Sequence, residues 1–161
     1  MIKMSSKLTF GHGFTDLREG INVTRMREER AARMRQVMKQ AGVPVALVTN
    51  EPNVRYLTGF SWSEFMPFLS YALFFAEHDP VVFAHAGSYQ QMPDELPWIK
   101  HWRCARSWLW GICTPEAMRE EVGLFAGEIR QELQDRGLAG EKLGVIGFDE
   151  AARESLKEAG L

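Results

Sequence analysis

The chain contains few cysteines and no large excess of charge of either sign. Cys104 and Cys113 are its only cysteines, and they lack the CxxC spacing of a metal or redox motif. A disulfide framework would need more of them, so we predict a reducing, cytoplasmic setting. The formal net charge of −2 provides no electrostatic basis for binding nucleic acid or an anionic membrane. We therefore expect neither as a partner.

Long apolar runs and familiar catalytic motifs are also missing. The N-terminal region has no run that suits a signal peptide or a membrane span. There is no P-loop, nucleophile elbow or dinucleotide-binding glycine pattern. The four histidines form no HExxH, HxxxH or His/Cys set. We predict neither catalytic residues nor a metal site in this chain.

What is present is typical of one globular domain. The 161 residues are 45% hydrophobic and 25% charged, which suits a chain that buries a single core. Residues 1–23 mix glycines with polar residues and are predicted to be an irregular lead-in. The folded domain is expected to span residues 24–161.

The first half of that domain predicts two helices, a buried strand and a hairpin. Thr24 can cap a helix that continues to about Ala41 and ends at Gly42. Residues 45–49 are continuously apolar, which is typical of a strand covered on both faces. A short helix follows and ends at Gly59. The apolar runs 71–76 and 80–84 flank a polar turn, which predicts a hairpin.

The second half predicts two further strands between helices. A short helix is expected within 87–96 and a strand over 101–107. Thr114-Pro115-Glu116 is a typical helix start, and apolar residues recur at helical spacing as far as Leu133, before Gly137. A strand over 142–148 and a helix to about residue 159 complete the pattern. We predict an α/β fold, with a mixed sheet flanked by helices on both faces.

Aromatic residues are concentrated in two stretches that are too apolar for free loops. One follows the short helix and carries Phe60, Trp62 and Phe65 beside Glu64. Such a patch indicates an interface or a ligand groove, although its aromatics could equally cover the edge of the sheet. The other, SWLWGIC at 107–113, is expected to dock on a partner surface.

The segment PNVRYLTGF, residues 52–60, resembles the entry motif of the creatinase/prolidase N-terminal domain. The order of elements around it is similar to that family from about residue 26 onward, including the strand KLGVIGFD. The resemblance implies a mixed sheet with a ribonuclease H-like motif. In the family this domain precedes a catalytic pita-bread domain, which we expect to be absent from this chain.

The resemblance also implies a function. The chain would be the non-catalytic N-terminal domain of an Xaa-Pro dipeptidase or aminopeptidase-like hydrolase, shaping the active-site entrance and the oligomer interface. Its partners would be its own catalytic domain and a second copy in a homodimer. Two divalent metal ions, such as Mn, Co or Zn, would be held by the catalytic domain. The substrate-binding candidates in the motif and the following loop are Arg55, Tyr56, Phe60, Trp62, Glu64 and Phe65.

Two alternatives remain open. The chain could be a stand-alone binding or oligomerisation module, or the same domain of a creatinase-like or lyase-like small-molecule enzyme. Creatinases carry an arginine in the loop after the motif for the substrate carboxylate, whereas this loop has only Glu64. For Arg55 and Tyr56 a purely structural role, in packing and helix-end bonding, competes with substrate binding.

Overall fold

Strands and helices alternate through most of the chain in the computed structural model, which describes residues 20–61, 70–85, 92–108 and 113–161. The helices of the described ranges are α1 Val23–Ala41, α2 Glu51–Thr58, α3 Met92–Glu95, α4 Pro115–Gln134 and α5 Glu150–Glu158. The strands are β1 Val45–Thr49, β2 Tyr71–Phe75, β3 Val81–Ala84, β4 His101–Cys104 and β5 Leu143–Ile146.

The strands form one mixed sheet in the order β4-β3-β2-β1-β5. β2 is antiparallel to β3, as the predicted hairpin requires, and it is also antiparallel to β1. β1 is parallel to β5, and β3 is parallel to β4. The mixed α/β architecture is therefore confirmed.

Each face of the sheet is covered by helices because side chains alternate along the strands. Val45 and Leu47 of β1 pack in a core with apolar residues of α4 and α5. Ala46 and Val48 pack on the other face with α1 and α2. All five residues of β1 are buried, as its unbroken apolar run predicts.

The helix ends follow capping chemistry, with one correction. α1 begins at Val23, and the side chain of Asn22 accepts the backbone N–H of Arg25 at 2.9 Å. The prediction that Thr24 caps this helix was wrong. Gly42 ends it in the left-handed conformation, as predicted. Thr114 caps α4, and Pro115 opens it, also as predicted.

Several predicted elements are shorter in the structure or extend beyond the described residues. β4 and β5 are four residues each. Of the helix predicted within 87–96, the structure shows Met92–Glu95 as helical, and residues 86–91 lie outside the described ranges. Residues 1–19 also lie outside, so the lead-in over 1–23 stays a prediction. Within the described ranges, no helix combines the length and the apolarity that crossing a bilayer requires.

Candidate functional site

The carboxyl ends of four strands meet at one end of the sheet. The register aligns Thr49 with Tyr71 and Tyr71 with Phe83, so β1 and β3 end where β2 begins. β5 and β4 run parallel to these two strands and end at the same place. Ligands of open α/β sheets bind preferentially outside the carboxyl ends of parallel strands. We call this end of the sheet the carboxyl edge.

Two tight turns shape the carboxyl edge where β1 and β5 end side by side. Asn50 has a φ of 63°, which is uncommon for a residue other than glycine, and its side chain caps α2 by accepting the N–H of Asn53 at 3.3 Å. Gly147 has a φ of 84°. A Cβ there would lie 3.3 Å from the carbonyl oxygen of Thr49. The two turns therefore pack too closely to leave room for a side chain at Gly147.

Glu51 lies just before the PNVRYLTGF motif and contacts Arg55 within the motif and Ser61 just after it. Its Oε1 accepts the hydroxyl of Ser61 at 2.6 Å and lies 3.2 Å from Nη1 of Arg55. The Glu51 side chain is 15% exposed, whereas that of Arg55 is 59% exposed. Glu51 was missed as a site residue, although its i,i+4 spacing from Arg55 is the signal that could have found it. These contacts hold Ser61, the last described residue before residue 70, to the start of α2.

The structure separates the predicted site residues into three groups. Arg55 is exposed and Tyr56 is half-buried, with the guanidinium carbon of Arg30 4.9 Å from the Tyr56 ring centroid. Phe60 is fully buried and meets Trp102 edge-to-face at 5.5 Å. Its placement on an exposed loop is therefore corrected, because its ring belongs to the core under α2. The remaining three, Trp62, Glu64 and Phe65, lie outside the described residues.

Gly59 ends the motif helix against an indole ring. Its φ is 81°, and a Cβ there would lie 3.1 Å from Cζ2 of Trp98. The Trp98 indole N–H donates to the carbonyl of Thr58 at 2.8 Å, which fixes the ring in this position. The guanidinium carbon of Arg27, a residue of α1, lies 4.2 Å from the centroid of the Trp98 ring. Both backbone conformation and packing therefore favour glycine here.

Gly59→Ala is expected to destabilise the domain by more than the ~1–2 kcal/mol of the left-handed conformation alone, because the new methyl group also meets Trp98. Gly42→Ala is the matched control: Gly42 has a φ of 61° but no atom within 4 Å of its Cβ position. Urea unfolding measures both, and the shift of the Trp98 Nε1–H resonance reports the contact. Equal losses for the two variants would show that the ring moves away freely.

Ionic and aromatic contacts hold the segment after β4 against the same edge. The backbone N–H of Arg106 donates to the Tyr71 hydroxyl at 3.0 Å, and burial raises the pKa of Tyr71 well above its usual range. Arg106 lies 2.7 Å from Glu128, and this hydrogen bond raises the pKa of Arg106. The indole N–H of Trp108 donates to Asp149 at 3.0 Å. These hydrogen bonds and this ion pair hold the segment after β4 to the carboxyl edge.

The described residues offer surfaces for binding and no metal cluster. Within the described ranges, no group of three or more His, Cys, Asp or Glu side chains could hold a metal ion. Cys104 and Cys113 are both free thiols. Near the carboxyl edge lie the exposed guanidinium of Arg55, the half-buried phenol of Tyr56 and the hydroxyl of Ser61, which is bonded to Glu51. Such groups can position a substrate or a neighbouring domain.

The chain is similar to solved structures of known proteins. No curated protein sequence matches the chain. Among solved structures, a proline dipeptidase from Streptococcus pneumoniae is 14% identical with a TM-score of 0.55, over 80% of this chain and 83% of that chain. An Xaa-Pro dipeptidase from Bacillus anthracis is 17% identical with a TM-score of 0.56, over 83% of this chain and 31% of that chain. Dipeptidase PepE from Mycobacterium ulcerans is 19% identical with a TM-score of 0.51, over 85% and 33%.

These structural similarities show a shared fold. The chain spans about a third of the length of the Bacillus and Mycobacterium dipeptidases. The family model described as the creatinase/prolidase N-terminal domain matches residues 30–159, which is most of the chain. Because that match covers the sheet and the helices on both of its faces, the chain belongs to the creatinase/prolidase N-terminal domain family.

Proposed function

We propose that this chain is the non-catalytic N-terminal domain of an Xaa-Pro peptidase-family hydrolase. The observation that carries the proposal is the family match over residues 30–159 in a chain that spans about a third of two dipeptidases of the same fold. In this role the carboxyl edge forms one wall of the active-site entrance and contributes to the oligomer interface of a homodimer.

The geometry of the motif supports a role at the entrance. The guanidinium of Arg55 is exposed and lies next to Tyr56 in the sequence. Its Nη1 is 3.2 Å from Oε1 of Glu51, which orients it. A guanidinium is the side chain best suited to recognise a carboxylate, such as the free C-terminus of a short peptide. The hydrogen bond from Ser61 to Glu51 holds the end of the motif. Trp62, Glu64 and Phe65, which follow it in the sequence, remain candidates for substrate contact.

The chemistry itself is assigned to the other half of the parent enzyme. Since no group of metal-ligating side chains occurs in the described ranges, the two divalent ions would be held by the catalytic domain. Mn, Co or Zn are the candidates. A cytoplasmic location is part of the proposal, and the two unpaired thiols support it.

The test is an assay of two proteins: the 161-residue chain and the full product of its reading frame. With added divalent metal, the full product is expected to hydrolyse Xaa-Pro dipeptides faster than longer peptides, and the 161-residue chain to show no turnover. Turnover by the short chain would refute the non-catalytic assignment. A full product without peptidase activity would instead favour a creatinase-like or lyase-like enzyme, and a frame that ends at Leu161 would favour a binding module.

Arg55→Ala in the full product is expected to raise the KM for an Xaa-Pro dipeptide by ~10- to 150-fold, because a hydrogen bond to a charged group is worth ~1.5–3 kcal/mol. The melting temperature should stay the same, since the Arg55–Glu51 pair is largely solvated on the arginine side. Steady-state kinetics with thermal unfolding measures both quantities.

Arg119→Ala is the matched control for Arg55. Arg119 lies on α4 with a side chain that is 74% exposed and 3.4 Å from Glu116, in a comparable short-range pair. Its KM should equal that of the unmodified enzyme. If Arg55→Ala behaves like Arg119→Ala, the structural interpretation of Arg55 is correct and the entrance lies elsewhere.

A further inference from the structure

A pocket of about 210 Å³ opens between α1 and the sheet, on the side away from β5. Its apolar lining comes from α2, from β2 and from the chain that leads into β3 and β4. These residues are Leu57, Phe74, Pro80, Trp98 and Ile99. Leu57, Phe74 and Ile99 are buried and form its floor, whereas Pro80 and Trp98 are half-buried. We call this cavity the α1 pocket.

The start of α1 carries apolar side chains that continue the wall of the α1 pocket. Arg27, Ala31 and Arg35 line the pocket and are spaced by four residues, so they share one face of the helix. Val23 lies four residues before Arg27 and therefore belongs to the same face. Val23 is 38% exposed, and Ile21, just before the helix, is 50% exposed. An apolar surface thus leads from the chain that enters α1 into the pocket.

The segment before Gly20 has the length and the side chains to cover this surface. Residues 1–19 include Phe10, Phe14 and Leu17, and they lie outside the described ranges. An extended chain from Gly20 back to Phe14 spans up to ~20 Å. The α1 residues that line the pocket lie ~6–18 Å along the helix from its start. Phe14 can therefore reach the pocket, and Leu17 can lie over the exposed side chains at positions 21 and 23.

The charged rim of the pocket suits a carboxylate beside an apolar ring. The rim residues are Arg27, Glu28, Arg35 and Asp79. Asp79 already bonds Lys100 at 2.8 Å. Arg27 forms no ion pair with another described residue, and its guanidinium lies over the Trp98 ring, which leaves the N–H donors at its edge for a carboxylate. Because alternate residues of an extended segment share a face, Phe14 in the pocket brings Asp16 to this rim.

We propose that residues 10–19 fold back along α1, with the Phe14 ring in the α1 pocket and the Asp16 carboxylate on Arg27. The occupant of the pocket is thus the segment of this chain that precedes its first helix. The matched family model begins at residue 30, so the proposal concerns a segment that the family assignment does not describe. It is independent of the proposed function.

The docked segment would lie next to the end of the PNVRYLTGF motif. Trp98 lines the pocket, and its indole N–H donates to the carbonyl of Thr58 at 2.8 Å. The same ring lies 3.1 Å from the Cβ position of Gly59, where the motif helix ends. Phe14 would therefore be separated from the motif by one ring, and its docking would restrict the movement of that ring.

Photo-crosslinking in the full product of the reading frame tests the proposal. Benzoyl-phenylalanine replaces Phe14, which keeps an aromatic ring there, and mass spectrometry identifies the crosslinked peptides. We expect crosslinks within one chain to the peptides that contain Pro80 or Trp98. Ala31→Gln puts a larger side chain into the pocket and should lower their yield at least ~5-fold. Ala32→Gln is the matched control, because Ala32 is exposed and does not line the pocket, and it should keep the yield.

Benzoyl-phenylalanine at position 10 is a control within the same segment, and its yield of these crosslinks should be at least ~5-fold lower than from position 14. Asp16→Asn changes no described residue, so the domain stays folded, and it should lower the yield from position 14 about twofold. An unchanged yield in Asp16→Asn or Ala31→Gln, or an equal yield from position 10, would overturn the proposal. Crosslinks that join two chains would overturn it as well, because the occupant would then be the segment of a second copy.

Discussion

Phe125→Ala is expected to lower the free energy of unfolding by ~3–5 kcal/mol, the range for removing a buried aromatic side chain. Phe125 lies on α4 with no exposed surface. Its ring centroid is 5.2 Å from that of Tyr71, 4.7 Å from Trp108 and 5.4 Å from Phe148. Truncation to alanine removes all three ring contacts and leaves a cavity that these large neighbours cannot fill without moving.

Leu124→Ala is the matched control for this loss, because Leu124 is the adjacent helix residue and is 42% exposed. It is expected to change stability by less than ~1 kcal/mol. Guanidinium unfolding followed by near-UV circular dichroism compares the two variants. A Phe125→Ala loss as small as that of Leu124→Ala would mean that the aromatic cluster repacks and contributes little.

The aromatic cluster also links the core to the carboxyl edge. Tyr71 begins β2, Trp108 lies in the segment after β4, and Phe148 lies between β5 and α5. Trp108 donates to Asp149, the residue that caps α5. Because Phe125 contacts all three rings, it packs against the residues that form the carboxyl edge. Its loss should therefore increase hydrogen exchange in the flanking turns as well as lowering global stability.

Local chemistry in the sequence was sufficient to predict most of the fold. Proline restricts its own φ, whereas glycine permits a positive φ, and both effects act on single residues. The start of α4 and the end of α1 could therefore be predicted. The hairpin followed from two apolar runs with a short polar turn. The parallel pairing of β1 with β5 involves residues nearly a hundred positions apart, and no local pattern encodes it.

The sequence was insufficient to choose between two capping residues for one helix, or to predict a contact between residues far apart in the chain. Asn22 and Thr24 are both good capping residues, and only the structure shows that Asn22 caps α1. Phe60 was predicted to lie on a loop that contacts substrate. Trp102, far along the chain, covers its ring at 5.5 Å and makes it core.

Glu132 illustrates the same limit for a charged residue. It occupies α4 beside Leu133 in the stripe that faces the sheet, and the residue is only 7% exposed. A lone glutamate on a helix is usually solvated, so its burial was not expected. Two arginines account for it: Arg103 Nε lies 2.7 Å from one carboxylate oxygen and Arg136 Nη1 lies 2.6 Å from the other.

Glu132→Ala is therefore expected to lower the free energy of unfolding by ~3–5 kcal/mol, the range for removing one partner of a buried ion pair. Most of this loss comes from Arg136, because its guanidinium would stay buried without a carboxylate partner. Its side chain is only 13% exposed, and its guanidinium carbon lies 5.0 Å from the Phe75 ring centroid. Arg103 is 45% exposed and can turn to water. Equilibrium urea unfolding at two salt concentrations measures the effect, which should be nearly independent of salt because the pair is buried.

Glu116→Ala, on the same helix, separates burial from charge in this result. The Glu116–Arg119 pair is three-quarters exposed on both sides, and its removal should change stability by less than ~0.5 kcal/mol and depend on salt. The double variant Glu132→Ala with Arg136→Ala should recover part of the Glu132→Ala loss, since no uncompensated guanidinium then remains buried. If the double variant is less stable than the sum of the two single losses predicts, the carboxylate stabilises the domain by a route other than neutralising Arg136. The arginine–glutamate contact would then be a consequence of the packing of α4 on the sheet.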